Sequence, residues 1–299
     1  MKEKRHHVQV LSQRKVPTQI ALQAIGLSRS SYHYKSVVKD KKDKRKAPLD
    51  PCLEALLLSL KGYELTLGYY KLADYIKHTY ADQGHWYNKK KVYRHMKALK
   101  LLQPKHIKRP KKKQKKGGVL YYSPLRSNVR WEADLTFISY GDSYLYLFTV
   151  IDTFDKEIIG HFLSFRCRCE DAIESLKEAV LCRFPNGQVP AELELVLRLD
   201  RGCQYTAKDF CDQSRSFGLK FEFCDVQAPN QKPYIESFFS NFKREEVYRN
   251  DYKNPMDVFL AWKSYVEWYN NKRPHSSLGN LSPVHFRLQN YLKVSHVEA

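Results

Sequence analysis

Apolar positions along the chain fall first into helical spacing, then into strand-like runs, and finally back into helical spacing. Thr18 stands where it can cap a short helix through Gln19, Ile20, Ala21, Leu22 and Ile25. Gly26-Leu27 then turns the chain, and Ser28 can cap a second helix from Arg29 to Tyr34. Helix, glycine turn and capped basic helix fit a helix-turn-helix, and equally a hairpin that only packs. After the mixed charge run Lys39 to Lys46, the leucines 53, 56, 57 and 60 recur at i, i+3, i+4, i+7 and predict one helix. Tyr69, Leu72, Ala73 and Ile76 predict a second by the same rule. Asn88 can cap a third, with Val92, Met96 and Leu99 as its apolar stripe.

From residue 129 the period changes. Val129 to Ser139, Tyr144 to Phe154 and Ile158 to Phe165 are rich in β-branched and aromatic residues and read as three strands. Glu170 to Arg183 returns to a helix with Ala172, Ile173, Leu176, Ala179 and Val180 on its apolar stripe. The run Leu193 to Leu199 is a strand ending at Asp200, a helix follows near Ala207 to Phe217, and Lys220 to Cys224 is a fifth strand. Ile235, Phe238, Phe239 and Phe242 define one more helix. Val258, Phe259, Trp262, Tyr265, Val266 and Tyr269 define another, whose stripe reads as core. Three hairpin-connected strands followed by helix–strand alternation predict an α/β domain: a mixed five-stranded sheet with helices on its faces, preceded by small all-α modules.

Length and charge narrow the picture. At 299 residues with 42% hydrophobic positions, the chain supports one sizeable core and one or two small modules. A net charge of +20 points to a polyanionic partner. No stretch approaches the roughly 18 apolar residues of a membrane span, and Met1 is not followed by a signal-peptide pattern, so a cytoplasmic protein is expected. Seven cysteines, an odd number without a CxxC pair, read as reduced thiols; Cys167 and Cys169 fall in what reads as a strand. The block from Lys105 to Lys116, including Lys111, Lys112 and Lys113, has no acid and would stay extended until it meets phosphate. Lys90, Arg94 and Lys97 line the outer side of the third helix, a solvated face or one turned to DNA backbone. Arg273 and His275, in the turn after the last apolar stripe, fit either a phosphate contact or a structural turn.

Three carboxylates carry the candidate chemistry. Asp134 lies in the strand Trp131 to Ile138. Asp200 ends its strand and is followed at once by Arg201-Gly202. Glu236 shares one helix face with Ser240 and Lys243, away from the phenylalanines. Each alone is ordinarily a solvated surface acid. Gathered, they would repel one another unless hard divalent cations held them. Two Mg²⁺ or Mn²⁺ ions roughly 3.5 to 4 Å apart can activate an attacking oxygen and stabilise a leaving one in phosphoryl transfer. Asp152, at the end of the second strand, is a candidate for a supporting position near the metals.

Thirty-five residues separate Asp200 from Glu236. With their flanks, Leu199-Asp200-Arg201-Gly202-Cys203-Gln204-Tyr205 and Pro233-Tyr234-Ile235-Glu236-Ser237-Phe238-Phe239, they resemble the DDE motifs of bacterial insertion-sequence transposases, nearest the OrfB protein of the IS-three family. Lys243 matches the basic position that follows the Glu. Tyr269-Asn270-Asn271-Lys272-Arg273-Pro274-His275-Ser276-Ser277-Leu278 and Ser282-Pro283 resemble its C-terminal signature. Leu67 to Leu72 and Lys91 to Met96 look like the helix-turn-helix that precedes the catalytic domain there. The resemblance implies a ribonuclease-H-like, retroviral-integrase-type core, with Asp134, Asp200 and Glu236 as catalytic metal ligands and Lys243 on DNA phosphate. The zinc module that opens retroviral integrases has no match.

The resulting expectation is a DNA transposase that nicks an insertion sequence's ends and transfers the liberated 3′-hydroxyl without a covalent protein–DNA intermediate. Its partners would be double-stranded element ends and target DNA, further copies of itself, and an upstream-frame OrfA subunit, at the bacterial nucleoid. The domain reading is a helix-turn-helix-like segment at 1–47, a second DNA-binding helix-turn-helix at 48–104, a basic linker at 105–124, a catalytic core with a helical extension at 125–290, and a tail at 291–299. A nuclease that cuts without joining and an inactive DNA-binding regulator are the competing readings.

Overall fold

The computed structural model describes residues 2–33, 48–103, 124–225 and 231–295. The basic block that includes Lys111, Lys112 and Lys113 lies outside them, as does most of the loop before Pro233. The chain divides into two compact units, Met1–Pro48 and Leu49–Ala299.

The first unit holds α1 (Lys2–Gln13), α2 (Thr18–Ile25) and α3 (Arg29–His33). Val8 of α1 closes a small core with Ala21, Leu22 and Leu27. Thr18 is not the cap expected of it: Pro17 holds the cap position, and Thr18 is already the first helical residue. Gly26 takes the left-handed conformation that ends α2 at little steric cost. The Ser28 hydroxyl accepts from the Ser31 backbone at 3.2 Å, as a cap should.

The second unit opens with α4 (Pro51–Ser59), α5 (Tyr69–Thr79) and α6 (Lys89–Ala98). Asp50 caps α4 by accepting from the Cys52 amide at 2.9 Å, and Asn88 caps α6 by accepting from the Lys90 amide at 2.9 Å. The apolar stripes read from sequence are buried, apart from half-exposed Tyr69 at the start of α5 and partly buried Leu99 at the end of α6.

Five strands follow from residue 130 on: β1 (Arg130–Tyr140), β2 (Ser143–Asp152), β3 (Ile158–Ser164), β4 (Val196–Leu199) and β5 (Lys220–Phe223). They form one mixed sheet in the order β3-β2-β1-β4-β5. β1, β2 and β3 pair antiparallel; β4 lies parallel to β1, and β5 parallel to β4. Helix α7 (Cys169–Arg183), short α8 (Cys203–Thr206) and α9 (Lys208–Ser216) cover one face, burying Trp131, Phe148, Leu197 and Leu199. β3 and α7 approach so closely that a Cβ at Gly160 would lie 2.1 Å from the Ser175 carbonyl oxygen.

Helices α10 (Pro233–Glu245) and α11 (Pro255–Asn271) cover the other face, and α12 (Pro283–Ser295) ends the described chain. Here Ile138, Leu145, Leu147 and Ile151 join Ile235, Phe238, Phe242, Trp262 and Tyr265 in a core that also takes in the buried residues of α4, α5 and α6. Tyr63, in the turn after α4, seats its ring 5.3 Å from that of Tyr265 and 5.2 Å from that of Trp268. The 48–104 segment therefore shares a hydrophobic core with the region that follows it.

Two local readings change. The fourth strand starts only at Val196: Ala191–Leu193 forms a 3-10 turn and Glu194 adopts a left-handed conformation. Cys167 and Cys169 are not in a strand, because β3 stops at Ser164 and Cys169 opens α7. All seven cysteines are free.

Candidate active site

Register brings the first two acids together. The last pair in the parallel β1–β4 ladder is Glu132 with Arg198. Advancing two residues along each strand reaches Asp134 and Asp200. A two-residue step preserves the face of the sheet, so both acids emerge beside each other on one side, where β4 has just ended. Backbone amides orient them: Leu135 donates to Asp134 Oδ1 at 3.0 Å, and Gly202 donates to Asp200 Oδ1 at 2.9 Å. A Cβ at Gly202, two residues after the acid, would meet the terminal amide of the Gln204 side chain.

The same face carries Glu132, one pleat before Asp134. Its Oε2 accepts from the Tyr234 and Ile235 amides at 3.1 and 2.9 Å, two of the otherwise unpaired donors in the first turn of α10. That contact fastens the helix carrying Glu236 to the strand carrying Asp134. Glu132 is almost wholly buried, which pushes its carboxyl up to about 7 despite the two amides.

Lys232, immediately before α10, inserts its ammonium between the two aspartates. Nζ lies 3.0 Å from Asp134 Oδ1, 3.3 Å from Asp200 Oδ2 and 3.3 Å from the Ala133 carbonyl oxygen, with 8% of the side chain exposed. Burial raises the Asp134 carboxyl above its ordinary value while Lys232 opposes that shift. Glu236, one helical turn further on, is exposed at the rim of the pair. Partial burial and the charge of Asp134 raise its carboxyl too. Beneath the acids, Tyr205 is fully buried; burial first, then the charges of Asp134 and Asp200, raises its phenol well above the ordinary value.

The donor set suits a hard cation. Both aspartates offer oxygen donors, and they already share the positive charge of Lys232. Among the described residues, however, no three His, Cys, Asp or Glu side chains are gathered tightly enough to form a ready metal cage. The arrangement is an aspartate pair with Glu236 beside it.

The other sequence candidates separate. Lys243 lies two turns after Glu236 with its ammonium 5.2 Å from the ring of exposed Phe137; partial burial lowers its pKa, and Asp134 acts in the opposite sense. Lys90 and Lys97 are exposed on α6 and Arg94 is partly exposed. Asp152 does not support the acid pair. The β1–β2 register sets it opposite Trp131, while Asp134 faces Thr149, so Asp152 points to the other face of the sheet. There it accepts from the Asn128 amide at 2.7 Å and the Trp131 indole at 3.2 Å, a structural role.

Arg273 is not a phosphate contact. It is 1% exposed and forms a two-pronged ion pair with Glu245, at 2.8 and 2.7 Å. Tyr265 donates to the same carboxylate at 3.2 Å. His275 beside it is also buried, and burial holds its imidazole well below the ordinary value. Burial pushes Glu245 up, but the hydrogen bonds and charge of Arg273 outweigh it and leave the carboxyl below its usual range.

Lys232 and Glu132 were missed by the sequence reading. The signals were present: Lys232 stands four residues, one turn, before Glu236, and Glu132 stands two before Asp134 on the same pleat.

With this geometry, two descriptions of the integrase core domain match the chain, at residues 124–229 and 217–283. The transposase for insertion sequence element IS629 of Shigella sonnei is 26% identical over 171 residues, covering 57% of this chain and 55% of that protein. The chain belongs to the integrase-core family of insertion-sequence transposases. A second relative, the insertion element IS476 uncharacterized 39.2 kDa protein of Xanthomonas euvesicatoria, is 26% identical over 273 residues, 89% of this chain and 71% of its own length. The integrase-core chain thus spans little more than half of the IS629 protein. Among solved structures, the simian T-cell lymphotropic virus intasome in complex with PP2A regulatory subunit B56 gamma is 22% identical with a TM-score of 0.41, covering 59% of this chain and 60% of that one. The mixed sheet with helices on both faces is the ribonuclease-H-like fold of an integrase core.

Proposed function

We propose that the protein is a DNA transposase of the DDE type, cleaving the ends of an insertion sequence and joining them to target DNA. The observation that carries this reading is the register that sets Asp134 and Asp200 side by side on the face to which Glu132 anchors the Glu236 helix. Asp134 and Asp200 would hold a divalent cation between them, and Glu236 would complete a second site. Mg²⁺ or Mn²⁺ so bound supplies activation of an attacking oxygen and stabilisation of the departing 3′-oxygen. The protein's own part is positional. Glu132 fixes the helix, the Leu135 and Gly202 amides fix the carboxylates, and Lys243 stands along α10 where a phosphate of the reacting strand would pass.

Exposed Lys90 and Lys97, with Arg94, would add backbone contacts from α6, and the 105–116 basic block, with Lys111, Lys112 and Lys113, a sequence-independent one. The net charge of +20 supports a DNA partner. Assembly as a homo-oligomer on paired ends, cooperation with an OrfA subunit and a place at the bacterial nucleoid belong to the same proposal. Among the described residues no helix is long and apolar enough to cross a membrane.

The test incubates purified protein with labelled element ends and Mg²⁺, Mn²⁺ or Ca²⁺ and resolves nicked and joined strands on a denaturing gel. Nicked and joined products with Mg²⁺ or Mn²⁺ are expected. Asp134→Asn, Asp200→Asn and Glu236→Gln should each lose both products while retaining DNA in a mobility-shift assay. Nicking that never proceeds to joining would make the protein a nuclease. Wild-type retention of DNA without either product would favour the regulator reading.

A further inference from the structure

The acid pair already holds a cation supplied by the chain itself. The Lys232 ammonium stands within 3.3 Å of a carboxylate oxygen of both Asp134 and Asp200, and its side chain is nearly sealed from solvent. A divalent ion bridging the two aspartates needs the same space. An ammonium and a dication also repel strongly at such range, so the two cannot share it.

The backbone around Lys232 is held on both sides. The Arg198 guanidinium donates to the Gln231 carbonyl at 2.8 Å, and Glu132 holds the Tyr234 and Ile235 amides. Pro233 at the head of α10 further restricts the main chain. What remains free to move is the side chain, whose four-carbon stem rotates about single bonds.

We infer that Lys232 is a resident counter-ion of the aspartate pair, displaced by side-chain rotation when a divalent cation binds, and that it sets the metal concentration the site requires. Without metal, the lysine keeps the two carboxylates from facing each other unpaired, so the site stays assembled. With metal, the dication takes over that task and the ammonium is released to solvent. Lys232 is thus a positioning residue in the metal-free protein and a competitor of the metal. The inference rests on the proposed metal site and adds a competitor to it.

The test uses the full chain and Mn²⁺. Wild-type protein is treated briefly with an N-hydroxysuccinimide acetate in EDTA or in Mn²⁺, and acetylation of Lys232 is quantified by peptide mass spectrometry, with exposed Lys177 as the control. Lys232 should be protected in EDTA and modified several-fold faster in Mn²⁺, while Lys177 stays constant. Calorimetric titration should give Lys232→Gln an Mn²⁺ affinity about tenfold higher than wild type, the change expected when a competing pair of charge-assisted hydrogen bonds is removed. The same variant should melt earlier than wild type in EDTA and gain more on adding metal.

If Mn²⁺ binds but leaves Lys232 labelling unchanged, or binds Lys232→Gln no more tightly than wild type, the inference fails and the metal site stands. If Mn²⁺ binds neither protein, the metal site and the inference fall together. Should Lys232→Gln not fold, the wild-type labelling decides alone.

Discussion

Replacing Arg273 by Met distinguishes a buried structural ion pair from a DNA contact. The guanidinium is 1% exposed and makes two hydrogen bonds to Glu245, whose carboxylate is buried as well. Removing the arginine leaves that charge without its principal partner, since Arg244 reaches it only from the exposed side at 3.2 Å. Breaking a buried pair in this way costs about 3 to 5 kcal/mol. A unit of this size loses roughly 2 to 4 °C of melting temperature per kcal/mol, so a fall of about 6 to 20 °C is expected. The assay is thermal unfolding followed by circular dichroism, alongside DNA affinity at several salt concentrations.

The loss should also depend on pH. Glu245 titrates below its ordinary value in the folded protein, so its stabilising contribution is present above the unfolded carboxylate pKa and is lost as pH falls through the folded one. The gap between wild type and Arg273→Met should narrow in acid. Adding Glu245→Gln to Arg273→Met should recover part of the lost stability, because no unpaired charge is then left behind. A single variant that melts within about 2 °C of wild type, and whose salt slope for DNA falls by about 0.9 as for one lost phosphate contact, would refute the reasoning.

Other perturbations follow from the same geometry. Glu132→Gln should remove a pH-dependent part of stability: a carboxyl raised to about 7 stabilises most below its unfolded pKa and loses that contribution as pH climbs through 7, so urea midpoints of wild type should fall between pH 4.5 and 7.5 more than those of the variant. Gly160→Ala places a methyl group 2.1 Å from the Ser175 carbonyl and should cost about 1 to 3 kcal/mol in urea unfolding, with a wild-type midpoint refuting the close approach of β3 and α7. Asn254→Ala breaks the capping box that starts α11 and should cost about 1 kcal/mol, read from the same unfolding curves. Lys90→Ala with Lys97→Ala should lower the salt slope of DNA binding by about 1.8 while leaving melting unchanged; an unaltered slope would remove α6 from the DNA interface.

What could be read from the sequence depended on how local its cause was. Asp200 ends a short apolar run, and Glu236 lies on the polar face of a phenylalanine-striped helix, so both stood out. Asp152 also ends an apolar run, and only the register reveals that it faces away. That register follows from the two-residue turn at Gly141-Asp142, which pairs Tyr140 with Ser143 and fixes the parity of every later pair. Arg273 sits in a polar turn and looks like a surface charge; its partner is 28 residues earlier on another helix. Lys232 was obscured for a similar reason, since its neighbours Asp134 and Asp200 arrive from two separate strands. The start of β4 was misplaced because Leu193 and Leu195 are apolar on either side of a residue that bends the chain.

The core shared between the three early helices and α11 bears on how the molecule can be dissected. The acidic residue at each chemical position lies after residue 124, so a fragment starting there would keep Asp134, Asp200 and Glu236. It would also uncover the rings of Tyr265 and Trp268 where Tyr63 now seats, together with the apolar surface that α4 to α6 cover. Such a fragment would carry a sticky patch of its own making and self-associate when produced in cells. A cut between residues 104 and 123 leaves every acid intact and still yields the wrong protein, because the residues of this core lie on both sides of it.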